Sequence, residues 1–273
     1  MIIDSHLHVY ADDENLFPYV AGGKPARPAS VECLLPLMNE AGVDKAVIVQ
    51  PRVYSWDNRY LAHCIERFPD RFTALGLVDP TSPDGPDRLE ELVTEQRFAG
   101  LRLELGWEDD LNDFHGKNRW PLWERAQDLG IAFGILGSAK DHSCVEPMAA
   151  MFPSVNILLD HLGGLPLDPE QQASLIKATI RLARYPNVYV KLSNLQGKSS
   201  EPYPFRDSFD LARRIYDAYG PERLMWGTDF PGVMIKCGYA NAVELVRTHL
   251  PFLTESDKEW ILHKTAQKVF RFS

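Results

Sequence analysis

The sequence predicts an α/β protein: a (β/α)8 barrel of parallel strands, forming one domain over residues 1–273. Three observations lead there. Short β-branched or apolar runs alternate with longer amphipathic stretches eight times along the chain, and strands separated by helices imply parallel pairing through right-handed crossovers. A length of 273 residues suits a fold that usually takes about 250. No glycine-rich dinucleotide or phosphate loop follows any strand, which counts against an open doubly wound sheet.

The strands fall at residues 2–9, 45–51, 72–78, 100–105, 131–137, 156–162, 188–195 and 224–230, each bounded by Gly, Pro, Asp or Asn. Helices are expected at 31–41, 58–68, 120–129, 174–185 and 205–219, among others, with a closing amphipathic helix over 256–270. Ser30 can cap the helix opening at Val31, and Asp57 or Asn58 the helix running through Leu61 and Ile65. Gly42, Gly130 and Gly220 stand where left-handed stops are wanted. Residues 10–29 break the pattern, with Pro18, Gly22, Gly23, Pro25 and Pro28 and no periodicity. A loop that long is usually functional or disordered. Placed directly after the first strand, it reads either as a lid over the barrel mouth or as a surface excursion.

A hydrophobic content of 45% can fill one large core without a metal or disulfide staple. A net charge of -9 and a pI near 5.4 argue against nucleic acid, because phosphate binding needs clustered Lys and Arg. The first residues, MIIDSHLHVY, have no basic stretch or long apolar run and do not read as a signal peptide. No window approaches the ~20 apolar residues of a membrane-spanning helix. Four cysteines (Cys33, Cys64, Cys144 and Cys237) lie far apart and read as reduced thiols of a cytoplasmic protein. The expected partner is a small molecule, anionic or polyhydroxylated. A homo-oligomer is compatible with all of this.

The first strand reads Ile2-Ile3-Asp4-Ser5-His6-Leu7-His8. Strict alternation places Asp4, His6 and His8 on one face, toward the barrel axis, and Ile3, Ser5 and Leu7 on the other. A lone histidine is more often structural than functional. Two imidazoles on one strand face can chelate a single ion, with a nearby carboxylate fixing a ring nitrogen. Strand eight ends in Thr228-Asp229-Phe230-Pro231, and an acid at the carboxyl end of a barrel strand is either catalytic or a helix cap. Strand six ends in Asp160-His161, of which only one can point inward under strand alternation. The four apolar residues before the pair offer no pattern to choose with.

These segments resemble a known family when taken together. Asp4-x-His6-x-His8, Asp160-His161-Leu162-Gly163-Gly164, Val190-Lys191-Leu192-Ser193 and Trp226-Gly227-Thr228-Asp229-Phe230-Pro231 are similar, in order and spacing, to the amidohydrolase-related family of the amidohydrolase superfamily. The likeness covers essentially the whole chain and points to the branch with sugar-acid lactonases and pyrone-dicarboxylate lactonases. It implies a hydrolase in which His6 and His8 match the family's strand-one ligands, His161 its middle-strand histidine and Asp229 its strand-eight aspartate. In that family the aspartate takes a proton from the attacking water and returns it to the leaving group. Two departures stand out: strand four has no bridging lysine, and strand five, Phe133-Gly134-Ile135-Leu136-Gly137, has no histidine. The resemblance therefore implies one divalent ion held by His6, His8, Asp229 and His161, or no metal at all. Two histidines and a carboxylate suit zinc, with manganese second.

Strand four offers the substrate side. If Leu101, Leu103 and Leu105 face the helices, Arg102 and Glu104 enter the barrel. There Arg102 clamps a substrate carboxylate, or it forms a structural ion pair with Glu104. Lys191 shares a strand face with Tyr189 and Ser193 and can join that polar interior. Arg52, Tyr54, Trp107, His142 and Asn194 lie just beyond strand ends as weaker candidates. The expected reaction is opening of a small lactone, sugar-derived or carboxylated. The alternative is metal-dependent decarboxylation of an unsaturated carboxylic acid.

Overall fold

The computed structural model describes residues 1–23, 25, 27–105, 114–270 and 272. Its eight parallel strands pair in chain order: β1 (Ile3–Leu7), β2 (Lys45–Val49), β3 (Phe72–Gly76), β4 (Gly100–Glu104), β5 (Ala132–Leu136), β6 (Asn156–Leu159), β7 (Val188–Ser193) and β8 (Leu224–Gly227). Past the strand ends, two 2.8 Å backbone bonds join the last strand to the first, His8 N–H to Phe230 O and Asp229 N–H to His6 O. The sheet thus closes into the predicted (β/α)8 barrel.

Helices cover the outside: Val31–Ala41, Arg59–Arg67, Gly85–Thr94, Trp120–Leu129, His142–Met151, Pro169–Leu182 and Phe209–Tyr219. Several ends differ from expectation for local reasons. Ser30 stands at the N-cap position, but its hydroxyl turns to Cys33 Sγ instead of capping. Asn58 is diverted to the exit of β3, where its amide holds Leu77 O at 2.8 Å and Leu77 N–H at 2.9 Å. The helix expected at 174 opens at Pro169, because Asp168 accepts from Gln171 N–H at 2.9 Å and proline suits the first turn. Gly42 and Gly130 are left-handed stops, at φ 69° and 61°; Gly220, at ψ 163°, is not.

Two apolar layers result. The larger fills the space between strands and helices. The smaller lies inside the barrel, where Val47, Val49, Leu75, Leu158, Tyr189 and Met225 meet Ala266, Val269 and Phe270 from the closing helical segment. That segment plugs the bottom, so the opposite mouth is left for chemistry. Among the described residues, no helix is long and apolar enough to cross a membrane.

Strand β1 departs from simple alternation. Its register against β2 runs Asp4↔Ala46 and then Leu7↔Ile48, so one extra residue sits on β1. Such a bulge shifts the phase of the side chains. Ile3 accordingly lies inside the barrel, whereas Leu7 packs in the outer layer. Asp4 does not share the face of His6 and His8, as alternation predicted. Its buried carboxylate turns to Thr228 and to Tyr239, which belongs to the outer layer.

Candidate active site

The bulge turns His6 toward the axis at the carboxyl end of β1. His6 Nε2 lies 3.8 Å from Asp229 Oδ1, His8 Nε2 lies 3.5 Å from it and His161 Nε2 lies 4.0 Å from it. The rings of His6 and His161 are 4.5 Å apart, and those of His6 and His8 5.1 Å. Ligand atoms of His6, His161 and Asp229 all fall within 4.8 Å of one another, while His8 flanks the group on the Asp229 side.

Strand β6 reaches this cluster through a backbone turn. Residues 161–164 all have positive φ, at 54°, 56°, 65° and 64°. The left-handed run lets Asp160 and His161 both face inward, against the expectation that only one can. Asp160 is fully buried, 3.0 Å from Lys191 Nζ, 3.3 Å from His6 Nδ1 and 3.6 Å from Arg102 Nε. His161 Nδ1 meets Ser193 Oγ of β7 at 2.9 Å. Beneath the seam, Asp4 accepts from Thr228 N–H at 3.0 Å, His6 N–H at 3.1 Å, Thr228 Oγ1 at 2.6 Å and Tyr239 Oη at 2.9 Å.

Charge states follow from burial and neighbours. Burial drives the His161 pKa down to about 4. Burial also takes His6 well below its ordinary value, with Asp160 opposing. Both rings are therefore neutral, as metal ligands must be. Burial pushes the Asp229 carboxyl up, but the imidazoles of His8, His161 and His6 outweigh it and hold it below the usual carboxylate range. Asp160 is likewise held down by Lys191, His6 and Arg102 against its burial. Burial raises Asp4 to about 6, despite its four hydrogen bonds.

The amidohydrolase family model matches residues 3–272, nearly the entire chain. The chain belongs to the amidohydrolase family of hydrolases. This amidohydrolase is 28% identical to an L-fucono-1,5-lactonase of Burkholderia ambifaria, over 84% of the chain and 80% of the relative. It is 27% identical to a 4-sulfomuconolactone hydrolase of Hydrogenophaga intermedia, over 84% and 74%. Among solved structures, an amidohydrolase from Burkholderia multivorans with bound zinc shares the fold, with a TM-score of 0.82, 22% identity and full coverage of both chains. A 5-carboxyvanillate decarboxylase from Sphingomonas paucimobilis shares it too, with a TM-score of 0.72, 20% identity and coverage of 100% and 99%. Fold alone therefore does not separate the two chemistries.

The site of this amidohydrolase fits one divalent ion. His8 Nδ1 donates to Val49 O at 2.7 Å, which leaves Nε2 as the nitrogen that faces the Asp229 carboxylate, 3.5 Å from Oδ1. Two acceptors that close repel unless a proton or a cation lies between them. His6 Nε2 is buried and has no hydrogen-bond partner among the described residues. A second ion is disfavoured, because the Lys191 and Arg102 cations already neutralise Asp160 and β5 offers only Gly134 nearby.

The other predicted residues divide by depth. Arg102 is buried between Glu104, 3.3 Å away, and Asp160. Arg52, half exposed at the rim, pairs with the other oxygen of Glu104. Lys191 is fully buried and bonds His6 Nδ1 at 3.1 Å, below any substrate in the mouth. Tyr54 is buried as well, and its hydroxyl accepts from Ala11 N–H at 2.6 Å. It thereby anchors the 10–29 segment, which is also tied by Val20 N–H to Val53 O at 2.8 Å and by Tyr10 N–H to Ala29 O at 2.9 Å. His142 lies away from the cluster, against Thr179. Asn194 is a left-handed turn residue before the short helix Leu195–Lys198. Trp107 lies outside the described residues. Tyr10 escaped the sequence reading: burial raises its phenol first, and Asp229 and Arg102 act on it electrostatically. The alternation His6, His8, Tyr10 was the signal for it.

Proposed function

We propose that this amidohydrolase opens a small lactone by metal-assisted hydrolysis, with Asp229 moving the proton. One observation carries the reading: His6, His161 and Asp229, from the ends of three strands, bring ligand atoms within 4.8 Å of one another at the barrel mouth. These three hold one divalent ion, zinc before manganese, with His8 alongside. Such an ion supplies Lewis acidity and lowers the pKa of bound water toward about 7. Asp229, ionised and flanked by the neutral imidazoles of His6 and His161, accepts a proton from the attacking water. It then gives that proton to the ring oxygen as the acyl C–O bond breaks, so the carboxylate ends as it began. His8, fixed by its bond to Val49 O, keeps Asp229 in place.

The names of the two lactone-hydrolysing relatives support this reaction class. A sugar-derived, polyhydroxylated lactone is the substrate we favour, because Glu104 engages both Arg52 and Arg102 and a substrate carboxylate would compete with it. Four free cysteines suit a reducing, cytoplasmic setting. The test is a pH-stat assay over aldonolactones and muconolactone-type compounds, with elemental analysis of protein purified without chelator. Turnover of an aldonolactone is expected, with one equivalent of zinc or manganese, and Asp229→Asn lowers kcat by about 10²–10⁴-fold. No acid release across the panel, with CO₂ released from an unsaturated carboxylic acid, would replace the lactonase with a decarboxylase.

A further inference from the structure

The three histidines at the mouth differ in what faces their inner nitrogen, Nδ1. For His8 it is the Val49 carbonyl at 2.7 Å, which only accepts, so the proton is fixed on Nδ1. For His161 it is the Ser193 hydroxyl at 2.9 Å, which donates or accepts and imposes neither form. His6 Nδ1 faces two groups with opposite demands: the Lys191 ammonium at 3.1 Å, which only donates, and Asp160 Oδ1 at 3.3 Å, which only accepts. We propose that Lys191 and Asp160 form a tautomer selector for His6, making its Nε2 either an N–H donor into the site or a bare nitrogen that ligates an ion. The inference rests on the proposed ligand role of His6.

The proton count is simple. With Lys191 donating to Nδ1, the single ring proton sits on Nε2. With Asp160 accepting from Nδ1–H, Nε2 is bare. The ring holds one proton in both states, so exchange through solvent releases none.

The surroundings are built for both states. Lys191 and Asp160 have no exposed side-chain surface and lie 3.0 Å apart. Lys191 makes the aligned hydrogen bond to the ring, while both Asp160 oxygens are buried without an aligned partner among the described residues. Asp160 is thus ready to accept. Arg102 Nε, 3.6 Å from Asp160 Oδ2, leaves Oδ1, with its two lone pairs, to Lys191 at 3.0 Å and the imidazole at 3.3 Å. Gly134 packs beside the pair, and a Cβ there would stand in ordinary contact, 3.8 Å from both Asp160 Oδ1 and Lys191 Nζ. Neither residue reaches the reacting atoms, so both are positioning residues.

The two partners predict opposite effects, which a merely structural role does not. Lys191→Met leaves Asp160 as the only partner and should tighten zinc binding about tenfold, whereas Asp160→Asn should weaken it about 10- to 100-fold. ¹⁵N NMR of labelled histidine reads the tautomer directly. In wild-type protein stripped of metal, His6 should carry its proton on Nε2 and should move it to Nδ1 on adding zinc. In Lys191→Met the proton should sit on Nδ1 with or without zinc. Because the first measurement uses wild type, it stands even if a variant fails to fold. A wild-type ring with its proton on Nδ1 in both states, or zinc binding weakened equally by both substitutions, overturns the selector. Wild type that binds no zinc refutes the metal reading instead, while a changed tautomer in metal-free Lys191→Met still supports the selector.

Discussion

Replacing Gly227 with alanine tests whether the β1–β8 seam sets the geometry of the site. Gly227 ends β8 directly beside His6. A Cβ there would stand 2.8 Å from His6 Cβ, 2.9 Å from His6 N and 3.2 Å from His6 Cα. Ordinary contact begins at 3.4 Å, so the strands must part by roughly half an ångström. None of the three atoms belongs to the mobile end of a side chain, so no rotamer change relieves the clash. Overpacking of this kind costs about 1–3 kcal/mol. The functional cost should be larger in proportion, because the same seam carries the Asp229 N–H to His6 O bond and the Asp4 bonds to Thr228 and His6. A misplacement of about 1 Å can cost on the order of 100-fold in rate, so half of that should lower kcat/KM about tenfold or more. Gly134→Ala is the comparison, since its nearest contact is Leu75 Cδ1 at 3.1 Å, the end of a side chain that can move. Thermal unfolding, zinc content and lactone turnover would be measured for both variants. The reasoning fails if Gly227→Ala keeps the activity and melting temperature of Gly134→Ala.

Two further perturbations probe the scaffold. His142 is buried against Thr179, and burial takes its pKa from 6.5 to about 4. Between those values the unfolded state binds the extra proton, so this contribution to stability is full above pH 6.5 and falls as pH drops, by about 2 kcal/mol at pH 5. Urea unfolding at pH 7 and pH 5 should show that loss in wild type and a smaller one in His142→Gln; equal losses would assign the acid sensitivity elsewhere. Tyr54→Phe removes the acceptor of Ala11 N–H and should loosen the 10–29 segment by about 1–2 kcal/mol. Faster hydrogen exchange at Ala11, with Leu61 and Ile65 unchanged, is the expected pattern, and unchanged exchange at Ala11 would rule out the anchor.

The barrel was readable from the sequence because each strand is a short apolar run between breakers, a local property. So were His6, His8 and Asp229, whose types and spacing carry their chemistry. The misread details depend on partners distant in sequence. The bulge on β1 exists only in its register against β2, so alternation carried through residues 3–8 placed Asp4 on the wrong face. The depth of Lys191 depends on its ion pair with Asp160, which comes from the end of β6. Tyr54 looked like a rim residue because nothing local shows that Ala11 needs an acceptor.

The turn after β6 was within reach, since Gly163-Gly164 announced left-handed backbone there. Strand logic stops at such a turn, and His161 at φ 54° swings in beside Asp160 for that reason. Asp229, at φ 58°, lies in the same sparsely populated region. A non-glycine residue there costs about 1 kcal/mol or more and persists only where its surroundings over-determine it. For Asp229 the surroundings are the bond to His6 O and the Asp4–Thr228 knot on one side of it. For His161 they include the Ser193 hydroxyl. Two of the three residues that converge at the mouth thus stand on strained backbone held by buried polar contacts. Strain that local propensity opposes, placed where the ligand atoms meet, is what a site selected for geometry over stability would show.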